Sequence, residues 1–166
     1  MEPTEKEKQV YDLLGQLEIS FKQHHHPAVY TVEQAKKHWS EIKGTHCKNL
    51  FLRNKKGNRH YLVILEANKA ADLKGLRKKL GEDGLSFASP ERLEKHLKLE
   101  PGAVSPFGLI NDHENLVRVV IDKDLKTAET VNFHPNVNTA TVGFSFADFE
   151  RFLEWTKNPV QYLLIS

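Results

Sequence analysis

Cys47-Lys48-Asn49-Leu50-Phe51-Leu52-Arg53 is followed by Asn54-Lys55-Lys56-Gly57-Asn58, and then by His60-Tyr61-Leu62-Val63-Ile64-Leu65-Glu66-Ala67. Two apolar runs of strand length flank a short polar segment with Asn and Gly, which is the pattern of a β-hairpin. Alternation along the first run puts Lys48 on one face with Leu50 and Leu52, and Cys47, Asn49 and Phe51 on the other. A lysine that shares a face with two leucines either snorkels to water from the edge of a strand or is a cation held at a cleft.

Helices and further strands surround the hairpin. Thr4 and Glu7 have capping-box spacing ahead of the apolar stripe Val10, Leu13, Leu14 and Leu17, which predicts a helix from Thr4 to about Leu17. Ile19 to Gln23 reads as a strand, ended by Pro27. Thr31 and Gln34 open a second, short helix through Ala35 to Trp39. Asp72 caps a helix through Leu73, Leu76 and Leu80, and Gly81 stops it. Leu85 to Phe87 reads as a short strand. Ser89-Pro90-Glu91 is an N-cap with proline at the first helical position, leading to Leu93 and Leu97. Leu116 to Ile121, Glu129 to Phe133 and Thr139 to Phe144 read as strands. Ser145 and Asp148 start the last long helix, with Phe149, Phe152 and Leu153 inward, and Val160 to Ile165 forms a final strand. Helices mixed with hairpin-joined strands predict an α+β fold. The expectation is one domain over residues 1–166, with a mixed, mostly antiparallel β-sheet surrounded by helices.

A chain of 166 residues is long enough for one real core. No apolar run approaches the roughly 20 residues of a membrane helix, and the N-terminal stretch from Met1 to Lys8 has no apolar segment of a secretory signal. Cys47 is the only cysteine, so an internal disulfide is impossible. These features together predict a cytoplasmic protein. The net charge of +2 is too mild to predict nucleic-acid binding by itself. Its distribution is uneven. Lys43, Lys48, Arg53, Lys55, Lys56 and Arg59 cluster with only Glu41 on the acidic side, and Lys69, Lys74, Arg77, Lys78 and Lys79 form a second group. Each is either a solvated surface or a patch that meets phosphates.

Glu100-Pro101-Gly102-Ala103-Val104-Ser105-Pro106-Phe107-Gly108-Leu109-Ile110-Asn111-Asp112 contains a G-x-x-x-P motif in a loop of small residues. Glycine allows close backbone approach to a ligand and proline stiffens the turn. Free amides of such a loop suit an oxyanion. Ser105 has no G-x-S-x-G elbow around it and is not read as a nucleophile. Asp112, His113 and Glu114 read as a polar turn. His134, between Phe133 and Pro135, is either structural or a hydrogen-bonding group at a site. Of His24-His25-His26, only His24 and His26 share a face, and Cys47, His46 and His113 show no zinc spacing, so no metal is expected. Tyr30 is a candidate border of a pocket. Cys47 reads as a buried small hydrophobe.

Three spaced segments, Cys47–Leu52, Glu100–Asp112 and Val131–Pro135, together resemble the free-standing prolyl-tRNA editing domains, the YbaK-like aminoacyl-tRNA deacylases. The resemblance covers almost the whole chain, and Ser-Pro-Phe-Gly-Leu-Ile-Asn-Asp after Val104 is its most specific part. It implies a hydrolase that clears wrongly charged tRNA without metal or organic cofactor. Lys48 would be the signature residue of the site, Gly102 and His134 would share in catalysis, and Asn49, Tyr30, Ala103, Val104, Ser105 and Pro106 would bind substrate. The implied partners are the acceptor end of mischarged tRNA(Pro) and prolyl-tRNA synthetase. The free-standing members most similar to this chain act on Ala-tRNA(Pro). Cys-tRNA(Pro), a broader set of small amino acids, or a non-catalytic tRNA-binding module stay open as alternatives, as does the oligomeric state.

Overall fold

A computed structural model describes residues 4–39 and 42–165 of the chain. Glu41 and the first three residues of the N-terminal reading lie outside the described residues. The capping box opens α1 (Glu5–Gln16): Thr4 Oγ1 accepts from the Glu7 amide, and the Glu7 carboxylate accepts from the Thr4 amide. The helix ends in a Schellman turn. The Ile19 amide donates to the Leu14 carbonyl at 2.9 Å and the Glu18 amide to the Gly15 carbonyl at 3.1 Å, with Glu18 left-handed at φ +57°. Ile19 is buried by this turn. It therefore belongs to the helix stop, and the strand expected from Ile19 begins only at Lys22, as β1 (Lys22–His25).

The remaining elements are α2 (Val32–Trp39), β2 (Thr45–Asn54), β3 (His60–Glu66), α3 (Leu73–Leu80), β4 (Leu85–Phe87), α4 (Pro90–Leu97), β5 (Val117–Asp122), β6 (Thr130–Phe133), β7 (Ala140–Ser145), α5 (Phe146–Thr156) and β8 (Val160–Leu163). Two 3-10 helices, Pro106–Asn111 and Lys123–Thr127, were not foreseen from the sequence. Local chemistry sets most ends. Asp72 Oδ1 accepts from the Gly75 amide and Gly81 is left-handed at φ +71°, so α3 starts and stops as its residues dictate. Ser89 and Ser145 cap α4 and α5 in the same way.

The strands form one mixed sheet in the order β1-β7-β6-β2-β3-β5-β8, with β4 also on β2. The β1–β7, β7–β6, β2–β3 and β2–β4 ladders are antiparallel, and the β2–β6, β3–β5 and β5–β8 ladders are parallel. The hairpin is the centre. β2 pairs with β3 from Cys47 to Arg53. On its other edge it changes neighbours, with β6 at Thr45–His46 and β4 at Leu52–Asn54. Cys47 to Leu50 thus have a strand partner on the β3 side only.

Alternation along β2 feeds two cores. Phe51, with Leu62 and Ile64, faces a large cluster that includes Phe107, Phe133, Phe149 and Phe152. Leu52, with Tyr61, Val63 and Leu65, faces a smaller one closed by Leu76 of α3. Phe107 is fully buried, with its ring edge-on to Phe152 at 5.2 Å. Truncating such a side chain to alanine costs about 3–5 kcal/mol. Part of the basic character is consumed in holding this frame. Arg59 clasps Glu82 with two 2.7 Å hydrogen bonds, which hold that carboxyl down at about 2, and Lys69 bonds Asp122 at 3.0 Å and Asp124. These two cations act as structural staples, each on its own acid.

Candidate active site

A cleft of about 230 Å³ lies where β2 has a partner on one side only. Lys48 and Asn49 enter it from β2, Gly102 and Val104 from the loop after α4, and His134 from the end of β6. Tyr30, with Val32, Ala35 and Trp39 of α2, forms the opposite wall. Six of the nine expected site residues are therefore brought together.

Pro101 and Gly102 are the central residues of a turn closed by the Ala103 amide on the Glu100 carbonyl at 3.1 Å. Gly102 has φ +90°, as the third position of a type II turn requires. The Ala103 amide is occupied by that bond. The amides of Gly102 and Val104 make no hydrogen bond among the described residues, so they are the donors this loop can offer. Tyr30, itself 68% exposed, lies against Gly102.

Ala103, Ser105 and Pro106, also expected to bind substrate, do not line the cleft. Ser105 is fully buried, and its Oγ accepts from the Phe107 amide at 3.1 Å. It caps the 3-10 helix that Pro106 begins. Asp112 is likewise buried and not a surface turn. It accepts from the Val117 amide at 2.8 Å, the Leu116 amide at 3.2 Å and Asn158 Nδ2 at 2.8 Å. The Ser105–Asp112 segment thus acts as scaffold that aims Gly102 and Val104.

Lys48 is half-buried and makes no hydrogen bond or ion pair among the described residues. Asn49 Oδ1 is buried with no hydrogen-bond partner. Leaving such an acceptor unpaired costs about 1–3 kcal/mol, so the site holds a polar group in wait of a donor. His134 Nδ1 donates to the Ala140 carbonyl at 2.9 Å, which leaves Nε2 as an acceptor. Burial is the main cause that lowers the His134 pKa and keeps the ring neutral; the Ala140 bond opposes it, and nearby His26 and His46 add to it. Cys47 also lines the cleft, but burial pushes its thiol up to about 12 and it supplies no thiolate. Among the described residues, no three His, Cys, Asp or Glu side chains converge as metal ligands.

Sequence reasoning missed the part played by α2. Thr31 Oγ1 accepts from the Gln34 amide at 3.1 Å, and the Tyr30 amide donates to Gln34 Oε1 at 2.8 Å. This start turns Ala35 and Trp39, four residues apart, toward the cleft. The Trp39 ring stacks on His46 of β2 at 4.3 Å. The i, i+4 pair was the available signal, but nothing local said what it would face.

The cleft therefore presents two kinds of group. Lys48 and the Gly102 and Val104 amides can meet oxygen that carries negative charge, while Asn49 Oδ1 and His134 Nε2 can accept from an amine or hydroxyl. Of the thiol and hydroxyl in the lining, burial keeps Cys47 protonated and Thr31 Oγ1 accepts from the Gln34 amide. That set suits hydrolysis of an ester of a small amino acid by water.

Residues 26–152 match the family model of the aminoacyl-tRNA editing domain. The chain is 46% identical over 145 residues to the prolyl-tRNA editing protein ProX of Acetoanaerobium sticklandii, covering 87% of this chain and 88% of that one. It is 35% identical over 158 residues to prolyl-tRNA synthetase associated domain-containing protein 1 of Danio rerio, covering 94% and 85%. A crystal structure of a protein proposed as a trans-editing enzyme for prolyl-tRNA synthetase superposes with a TM-score of 0.74 over 99% of this chain and 100% of that one. At 19% identity that likeness shows the fold. No helix among the described residues is long and apolar enough to cross a membrane. The chain belongs to the aminoacyl-tRNA editing domain family, and its enzyme class is that of the aminoacyl-tRNA deacylases.

Proposed function

We propose that this chain is a trans-editing hydrolase that removes alanine from mischarged Ala-tRNA(Pro), releasing alanine and free tRNA. The observation that carries this reading is the unpaired, buried Asn49 Oδ1 beside Lys48 and the free amides of the Gly102 loop, in a cleft of about 230 Å³. Sites for drug-sized ligands run to about 300–1,000 Å³, so a small acyl group is favoured here. The prolyl-tRNA names of two relatives support tRNA(Pro) as carrier.

The need for such an enzyme is physical. A proline pocket rejects an amino acid smaller by a methylene or two by only about 1–3 kcal/mol. A second, smaller pocket admits alanine and rejects proline by size. In the proposed reaction the α-amino group donates to Asn49 Oδ1 and His134 Nε2, and Lys48 holds the ester end of the terminal adenosine. Water attacks the acyl carbon. The oxyanion meets the Gly102 and Val104 amides, the acyl C–O bond breaks, and the ribose oxygen takes the proton. The ribose 2′-hydroxyl is a ready relay for that proton, which accounts for a site without a dyad or triad. Prolyl-tRNA synthetase is the source of the mischarged substrate and a candidate partner.

The test is loss of labelled amino acid from Ala-tRNA(Pro), Cys-tRNA(Pro) and Pro-tRNA(Pro). Rapid loss of alanine with cysteine and proline retained is the expected result. Loss of cysteine in preference to alanine overturns the substrate, and loss from none of the three overturns the reading.

A further inference from the structure

A second cleft, of about 760 Å³, is distinct from the acyl site. It lies at the far end of the hairpin, between the β2–β3 turn, α4 and the start of β5, and Arg92, Lys95, His96, His60 and Arg118 line it. We propose that this cleft is a phosphate-binding site, and that it takes the backbone phosphates of the RNA whose 3′ end occupies the acyl cleft. The RNA source rests on the function proposed above; the phosphate chemistry does not.

The cleft holds positive charges together without a neutralising acid. Arg92 Nη1 donates to the Gly57 carbonyl at 3.0 Å and to His60 Nε2 at 3.1 Å. A Cβ built on Gly57 would stand 2.8 Å from Arg92 Nη2 and 2.9 Å from Arg53 Nη2, so two guanidinium groups converge on one point of the turn. Arg53 is tied to the Asn54 and Lys55 carbonyls, which fixes it there. None of Arg53, Arg92, Lys95 or Arg118 has a carboxylate within ion-pair distance among the described residues. Glu91 is the one carboxylate of the lining and it is exposed. Arg59, which also lines the cleft, differs in having its own acid, Glu82.

His60 reports the same field. It is 5% exposed, its ring centroid is 4.1 Å from that of His96, and its pKa is depressed to about 4 by burial and by the surrounding His96, Arg92, Arg53 and Lys95 charges. A neutral imidazole acceptor keeps Arg92 in place, while the outer guanidinium nitrogens remain able to form two parallel bonds to phosphate oxygens. Like charges held close with no acid between them raise each other's energy, and a bound anion removes that cost.

The placement fits a nucleic-acid strand. Arg53, at the turn end of β2, is the register partner of His60, which lines the cleft. Lys48 and Arg53 are five residue steps apart along β2, a span of roughly 17 Å. Stacked nucleotides advance about 3.4 Å each, so the cleft stands about five nucleotides from the reacting end. α4 carries Arg92 and Lys95 at the cleft and leads through Lys98 into the Gly102 turn.

The test uses the exposed pair Lys95→Ala/Arg118→Ala in the full chain. Binding of uncharged tRNA(Pro) is measured by fluorescence anisotropy from low to moderate salt, and binding of inorganic pyrophosphate by calorimetry. The expected result is weaker tRNA binding, with the slope of log K against log salt reduced by about two, or one per cation. Hydrolysis of an alanylated 3′-terminal trinucleotide, too short to reach the cleft, is expected to match the wild type. Loss of pyrophosphate binding with tRNA binding unchanged keeps the phosphate chemistry and overturns the RNA source. Unchanged binding of both probes overturns the site. A wild-type protein that cleaves no aminoacyl ester, but whose tRNA binding depends on Lys95 and Arg118, overturns the deacylase reading and leaves this site standing.

Discussion

The ring of Tyr30 is seated on Gly102: a Cβ at Gly102 would stand 3.1 Å from Tyr30 Cδ1 and 3.6 Å from Cε1. This contact joins the segment that leads into α2 to the turn that offers the amide donors. The left-handed backbone at φ +90° favours glycine there, and a Cβ would also press on the Tyr30 ring.

Gly102→Ala is therefore expected to push Tyr30 away and to strain the turn by about 1–2 kcal/mol. Deacylation should fall roughly tenfold or more, while far-ultraviolet circular dichroism stays that of the wild type. The measurement is initial rate at subsaturating Ala-tRNA(Pro), and an unaltered rate would mean that the loop does not meet the reacting group.

Ser105 gives the opposite expectation. Its hydroxyl is fully buried as a cap on the Phe107 amide. Ser105→Ala should cost ~1 kcal/mol of stability, seen as a lower midpoint in urea, with kcat little changed. A collapse of kcat in a folded variant would make Ser105 a nucleophile after all.

His134 predicts a pH dependence. Its pKa lies below the ordinary value of 6.5, chiefly through burial, so the neutral acceptor persists below that pH. The acid limb of kcat/KM is expected below pH 6.5, and His134→Ala should lower the rate roughly 10²-fold and remove that limb. The sign for stability follows from the same shift. The unfolded chain takes up the proton first, so this contribution is complete above pH 6.5 and declines as the pH falls from there through the folded value. A limb at or above pH 6.5 would contradict the assignment.

What could be read in the sequence was what local chemistry decides. The Thr4/Glu7 box, the Asp72 cap with its Gly81 stop, and the Ser89 and Ser145 caps all stand where short-range spacing puts them. The hairpin was legible because its apolar runs are long and its turn is polar. Ile19 misled because an apolar residue after a helix fits a strand start and a Schellman contact equally well; the Leu14 carbonyl decides between them. Lys48, Asn49, Gly102 and His134, named from their motif segments, line one cleft. Tyr30 was expected at the pocket border, but the wall from α2 was not, since only the fold brings Val32, Ala35 and Trp39 against β2. The roles of Ser105 and Asp112 went astray for the same reason: a small polar residue in a loop looks available until its buried amide partners are seen. The basic runs behaved likewise, because Glu82, Asp122 and Asp124 lie far from Arg59 and Lys69 in the chain.

Lys48 bears the central claim, as the one cation that β2 places in the acyl cleft. The most direct measurement is release of labelled alanine from Ala-tRNA(Pro) by the wild type and by Lys48→Ala, side by side, with tRNA affinity measured on both. A rate lowered roughly 10²-fold or more, with affinity changed only a few-fold, is the predicted result. Equal rates for the two proteins would contradict the account.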